Sequence, residues 1–442
     1  MARNSLEGKD KSQLSDKERI RDFQRKIYLK AKQEKSFRFY ILYDKIKTKR
    51  FLIESFIRVR KKKGTAGIDG ITFEWIAEYG VEKYLDEIQK ELEMNTYRPS
   101  AVLRTYIPKA NGKMRPLGIP TIKDRIVQMS CKMVIEPIFE ADFENCSYGF
   151  RPKRSAKDAI RKIKENLKSK KTEIMDADLK SYFDTIPHDK LMILVGQRIS
   201  DKYLLKLIKM WLKAPVVENN KYSGGKKSKK GIPQGGVISP LLANIYLNLL
   251  DKIVNKENGI FKQYGIEIVR YADDFILMGS NLCKAVTGKV KYVLDRMDLK
   301  INDEKTKVIN AYKEAFDFLG FTVRYDRGKK YNGMYWNIMP SRKSCKKIRE
   351  NMKQLFRVSR HWNPYYLVQE LNWRTRGWIN YFTIPGVSYT TNARYDMRWY
   401  LYRKIWNHYR RKSQKKCKLY HKAFDYLIER YRLINPIKYS LV

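Results

Sequence analysis

Tyr271-Ala272-Asp273-Asp274 constrains this chain more than any other stretch. Glu267-Ile268-Val269-Arg270 runs into it and Phe275-Ile276-Leu277-Met278 leaves it. Two short runs rich in β-branched and aromatic residues, joined at a pair of acids, predict a β-hairpin with both carboxylates at its turn. Hard divalent cations take oxygen ligands of this kind. A solvated turn is the plainer reading of an Asp-Asp pair, but a second acidic strand end argues against it here. Glu173 to Leu179 reads as a buried strand with Asp178 near its end. Asp178, Asp273 and Asp274 together suit two Mg²⁺ ions about 3.5–4 Å apart, clamping the attacking and leaving oxygens of an in-line displacement. Asp176 shares a strand face with Asp178, so Asp176 and Asp184 stay open as further ligands.

Two other segments suit a nucleotide. Leu103 to Ile119 reads as two strands around Asn111-Gly112, a hairpin dipeptide. Lys109 and Arg115 fall on its opposite arms, where a point-charge ammonium and a planar guanidinium would grip a triphosphate. A basic surface hairpin is the bland alternative. Pro233-Gln234-Gly235-Gly236 precedes Ser239-Pro240, expected as the N-cap and first residue of a helix through Leu241, Ile245 and Leu249. Glycines let a backbone approach a nucleotide closely, and Gln234 can bond a sugar or base edge. A simple loop before a helix reads equally well. Gly64 to Gly70 is a Gly-rich turn but not a Walker loop, since no Gly-Lys-Ser/Thr follows.

Charge narrows the partner. The 442 residues carry 93 Lys+Arg against 47 Asp+Glu, a net +46. That imbalance points to a polyanion, and nucleic acid is the default. Hydrophobic residues at 43% exclude general disorder. Five scattered cysteines (131, 146, 283, 345, 417) and four unpaired histidines exclude a disulfide framework, a zinc ribbon and a histidine-based nuclease, and fit a reducing compartment. No apolar run reaches the length of a membrane span, and Met1 to Arg19 lacks a signal core, so a cytoplasmic protein without membrane contact is expected. Residues 20–46 are basic, aromatic and helix-compatible. From Ser341 the chain turns still more basic, with 24 Lys+Arg against 5 Asp+Glu, and holds Trp362, Trp373, Trp378, Trp399 and Trp406. Its pattern is helical, broken at Pro364 and Pro385-Gly386. Those aromatics read as helix-packing core or as stacking surfaces for unpaired bases.

In this order the pieces resemble a reverse transcriptase, and more narrowly the reverse transcriptase/maturase encoded by bacterial group II introns. The resemblance is carried by Arg115-Pro-Leu-Gly-Ile-Pro-Thr-Ile-Lys-Asp-Arg125, Ser147-Tyr-Gly-Phe-Arg-Pro-Lys-Arg-Ser155 and Asp178-Leu-Lys-Ser-Tyr-Phe-Asp184. Gly235-Gly-Val-Ile-Ser-Pro-Leu-Leu-Ala-Asn244, Phe318-Leu-Gly-Phe321 and Arg374-Thr-Arg-Gly-Trp-Ile-Asn-Tyr-Phe382 belong with them. It covers roughly residues 45–410.

The resemblance implies an α/β right-hand polymerase of fingers and palm, followed by an all-α thumb, the maturase domain X. The expected divisions are 1–45, a basic, partly helical extension; 46–330, fingers and palm; 331–412, thumb; and 413–442, a short basic tail as a remnant DNA-binding region. It implies that Asp178, Asp273 and Asp274 hold two Mg²⁺ ions, with Mn²⁺ as a substitute. Lys109 and Arg115 contact the incoming triphosphate, Gln234 lies over the nucleotide, Phe183 gates the 2′-hydroxyl and Lys305 nears the leaving pyrophosphate. Phe318, Leu319 and Gly320 form the primer grip, and Arg151, Arg154, Arg374 and Arg376 touch RNA.

The implied function is RNA-directed DNA synthesis together with binding and splicing of a group II intron RNA. Its partners are that RNA, an RNA template, a DNA primer and target DNA, the protein joining the nucleoid when on DNA. No His/Cys cluster of the H-N-H endonuclease type is present, so mobility is expected to prime from an existing nick or a replication fork. Three other readings compete. A maturase with a vestigial polymerase is opposed by the intact acids. A domesticated relative in phage defence or a CRISPR system would be exposed by the neighbouring DNA. An RNA-dependent RNA polymerase is disfavoured by Phe183.

Overall fold

The structure is a computed structural model that describes residues 15–108, 112, 114–225, 227–302, 304, 306–328, 332–410 and 421–440. Lys109 and Lys305 lie outside the described residues. The strands are β1 Val102–Pro108, β2 Met114–Ile119, β3 Glu173–Ala177, β4 Pro215–Glu218, β5 Lys221–Gly224, β6 Glu267–Tyr271, β7 Asp274–Gly279, β8 Lys307–Asn310, β9 Phe316–Phe318, β10 Phe321–Arg327 and β11 Met334–Pro340. They form three sheets, ordered β2-β1-β4-β5, β11-β10-β9 and β6-β7-β3-β8. The hairpins expected at 103–119 and 267–278 are present, and β9 and β10 form a further one. Among the described residues no helix is long and apolar enough to cross a membrane.

The chain divides into two compact units. The first comprises Met1–Arg154, Asp176–Ile276 and Cys283–Thr306. Its core is the helix Ile122–Glu140, started by Thr121, whose side chain accepts from Asp124 N. That helix packs against the helices Asp16–Gln33 and Lys49–Arg60. Asp16–Gln33 begins at a Ser15/Glu18 capping box. The helical reading of residues 20–46 is interrupted. Phe39 runs extended, its N–H donating to Arg198 O over 2.8 Å and its carbonyl accepting from Ser200 N over 2.8 Å. The chain returns to helix only at Tyr43–Ile46.

The helix Ser239–Asn255 starts as the Pro240 signal indicates, but Ser239 does not cap it. Its hydroxyl donates instead to Pro233 O at 2.8 Å, closing the Pro233–Gly236 turn. Val237 N donates to Gln128 Oε1 at 2.8 Å and fixes the exit of that turn.

The second unit comprises Ser155–Met175, Leu277–Leu282 and Lys307–Val442. It holds the sheet of β9, β10 and β11 and the helices Arg342–Val358, Pro364–Phe382, Thr391–Arg410 and Ala423–Tyr431. Asn363 caps the helix that Pro364 opens. Residues 331–412 are not all helical, because β11, with Tyr335, Trp336 and Ile338, is a strand-forming run that pairs along β10.

Candidate active site

The acidic hairpin is held from beneath. β6 and β7 are joined by Ala272 and Asp273, and Ala272 takes φ +59°, the left-handed region that non-glycine residues rarely adopt. Arg270, the last residue but one of β6, is 0% exposed. Its Nη1 donates to Ala272 O and to Asn244 Oδ1, both over 2.9 Å, and its Nε donates to Asp251 Oδ1 over 2.9 Å. Burial disfavours the guanidinium charge, but the Asp251 carboxylate overcomes this and raises the pKa above its ordinary value. Asn244 Nδ2 donates to Gly149 O over 2.8 Å. A Cβ on Gly149 would lie 2.4 Å from Ala272 N. Arg270 N donates to Cys146 O and Tyr148 N donates to Arg270 O, so residues 146–149 form a seat for the turn.

Asp178 follows β3 directly and is tied down by Asn302, whose N donates to its carbonyl over 2.8 Å. The Asn302 amide reaches its Oδ2 over 3.4 Å. Around these acids negative charge accumulates. Asp274 is pushed up to about 6, first by desolvation and then by Asp273, Asp178 and Asp176, with Arg115 pulling the other way. Its side chain is exposed by surface area. The desolvation therefore comes from the protein mass surrounding the carboxyl, not from enclosure. Asp273 is raised as well, chiefly by burial and further by Asp178, with Arg115 and Arg270 opposing. Asp176 thus joins the cluster. Asp184 instead lines a cavity of about 290 Å³ with Arg104, Gly118, Lys230 and Gln234.

Among the described residues no three His, Cys, Asp or Glu side chains form a group that could hold a metal ion. Mg²⁺ at phosphoryl-transfer sites generally binds through one or two carboxylates and completes its shell with waters and substrate phosphates. Carboxylates that raise one another's pKa are a donor set a dication would relieve.

Phe183, Gln234 and β2, which carries Arg115, are joined through one piece of backbone. Phe183 is half-buried on the short helix Tyr182–Thr185, and its carbonyl accepts from Ile232 N over 2.7 Å. Gly231 N donates to Ile186 O over 2.9 Å, and His188 Nε2 donates to Gly231 O over 2.6 Å. Two residues further on, Gln234 O accepts from Gly118 N over 2.5 Å. Gly235 takes φ +120°, and a Cβ there would meet Gly118 O at 2.1 Å. Gly118 lies three residues beyond Arg115 on β2, so Phe183, the Gln234 turn and the strand that carries Arg115 are linked through main-chain contacts.

In the second unit, β9 and β10 join through Leu319 and Gly320, with φ +50° and +82°. Positive φ at both positions is the hairpin turn that follows strand twist. Tyr381 donates its hydroxyl to Leu319 O over 3.0 Å, and Ser344 Oγ donates to Gly320 O over 2.9 Å. The Phe321 and Tyr381 rings stack with centroids 5.8 Å apart.

The expected RNA contacts separate. Arg151 is only 7% exposed, paired with Glu140 at 2.7 Å and donating to Ser147 O over 2.9 Å. These bonds tie it to the start of the segment 146–149 that seats the turn. Arg154 is held by Asn145, and Arg374 pairs with Glu370, while Arg376 stays exposed. Sequence reasoning missed Arg270, Asp251, Asn244 and Gly149. Only the recurrence of Gly149 and Asn244 inside long motifs hinted at them.

Residues 107–323 match the family described as reverse transcriptase (RNA-dependent DNA polymerase). Residues 345–424 match the group II intron maturase-specific domain. The chain is 35% identical to Protein YkfC of Escherichia coli (strain K12), over 70% of this chain and 90% of that protein. It is 34% identical to the Group II intron-encoded protein LtrA of Lactococcus lactis subsp. cremoris, over 62% of this chain and 44% of LtrA. To Nuclear intron maturase 3, mitochondrial, of Arabidopsis thaliana it is 25% identical over 47% of this chain and 32% of that protein. It thus spans less than half the length of the last two. With polymerase and maturase matches in succession, the chain belongs to the group II intron-encoded reverse transcriptase/maturase family.

Proposed function

We propose that this RNA-directed DNA polymerase extends a DNA primer on an RNA template by two-metal nucleotidyl transfer, in a right-hand arrangement of fingers, palm and thumb. What supports the reading is the charge these acids place on one another: Asp273, Asp178 and Asp176 each raise the Asp274 pKa, while Arg115 opposes them. Asp178, Asp273 and Asp274 present the ligand oxygens, and the Arg270 network keeps the last two aimed from below. Arg115 draws the triphosphate towards the acids, with Lys109 and Lys305 as its partners. Phe183 closes the space beside the sugar against a 2′-hydroxyl, and Gln234, pinned to β2, covers the nucleotide. Mg²⁺ at these carboxylates would lower the pKa of the primer hydroxyl and neutralise the departing pyrophosphate. Phe318, Leu319 and Gly320 hold the primer end.

The maturase match supports a second role on the same chain: its basic helices bind group II intron RNA and stabilise its fold while the ribozyme splices itself. The two roles separate by mutation. Asp273→Asn is expected to abolish Mg²⁺-dependent cDNA synthesis on an RNA template while leaving intron binding and assisted splicing intact. Surviving polymerisation would refute the metal assignment.

A further inference from the structure

Arg270 and Asp251 are both fully buried, with the ion pair enclosed beneath the catalytic turn. A buried ion pair adds little stability over apolar side chains of similar volume, because desolvation offsets its attraction. What it adds is direction, since a guanidinium offers five donors in a rigid planar fork. Here Nε faces Asp251, while Nη1 divides between Asn244 and Ala272 O. Asn244 and Asp251 lie seven residues apart on the helix Ser239–Asn255, two turns along one face. Asn244 also grips Gly149, whose bare Cα lets the turn lie where a Cβ would collide with its backbone. The carbonyl so held belongs to the left-handed residue immediately before Asp273.

We propose that Arg270, anchored by Asp251 and Asn244, is a positioning residue for polymerisation, fixing the Ala272 carbonyl and with it the aim of Asp273 and Asp274. The inference rests on the carboxylates being the reaction centre.

The test compares three forms of the full chain: Arg270→Met with Asp251→Leu, Arg270→Lys, and Asp273→Asn. Thermal transition, template–primer affinity and burst amplitude report folding and the active fraction. Turnover and Mg²⁺ half-saturation are then read per active site. The paired apolar variant is expected to keep its thermal transition and primer affinity. Its turnover falls by about 10²-fold, as a small misplacement of reacting groups does, and its Mg²⁺ requirement rises. Arg270→Lys, which keeps the charge but loses the fork, moves both readouts the same way and serves as the test if the pair variant fails to fold. Unchanged turnover and Mg²⁺ dependence per active site, with loss confined to burst amplitude, would make the pair a core element only and overturn the proposal. Polymerisation by Asp273→Asn would remove the carboxylate reading itself. An inactive Asp273→Asn beside an unaffected pair variant would sink the positioning role alone.

Discussion

Asp274 reports the charge of the site through its titration. Its pKa of about 6, raised from 3.8, means that between those two pH values the metal-free folded protein holds a proton there that the unfolded chain has released. The group's contribution to stability is full below about pH 4 and is lost as pH rises through about 6. A bound dication reverses that preference, since it needs the ionised form. We therefore expect the Mg²⁺ concentration for half-maximal single-nucleotide incorporation to climb as pH falls from 7.5 to 5.5. A flat requirement over that range would mean that Asp274 is not a ligand. Phe183 is tested separately: Phe183→Ala should raise ribonucleotide incorporation by an order of magnitude or so, roughly the loss of 1–3 kcal/mol of pocket discrimination. Unchanged dNTP preference would remove it as the gate. The acids are readable in the chain because a strand pattern broken by a carboxylate is a local signal. Arg270 is not, because its meaning depends on Asp251 and Asn244, which only the folded helix brings beneath it.

At the scale of elements, the site is a set of backbone approaches that side-chain patterns do not announce. The β1–β2 hairpin and the Pro233–Gly236 turn are each legible in the chain, yet nothing in either run says that Gly118 and Gly235 touch. Ser239 departs from its expected capping role for a similar reason, its hydroxyl being taken up by a carbonyl six residues back. Gly149 gives the sharpest test of this layer. A methyl there strikes main-chain atoms of Tyr271 and Ala272, which cannot swing aside as a flexible side chain would. Gly149→Ala should cost about 1–3 kcal/mol in chemical denaturation through overpacking and depress turnover further by lifting the acids. A variant with wild-type stability and turnover would show that the turn has slack.

Across the whole molecule, the proposed RNA binding would be governed by charge. A chain with net +46 meets a polyanion mainly by releasing its counterions. The helix Arg342–Val358 exposes Lys343, Lys347 and Lys353. Replacing the three by Gln should flatten the plot of log affinity for intron RNA against log salt by about 0.7 for each phosphate no longer neutralised. An unaltered slope would place the RNA on another surface. Composition carries the sign of this partner, and motif order carries its family. The grouping of residues 155–175 with 307–442 is invisible in the chain, because it depends on packing between segments far apart in sequence.

The clasp of Tyr381 and Ser344 on Leu319 and Gly320 bears on how relatives of this enzyme are recombined. Family matching suggests a seam near residue 345, but a chimaera cut there would take Tyr381 from one parent and the loop it clasps from the other. The turn and its clasp form one heritable module, and a crossover placed upstream of Lys307 transfers them intact.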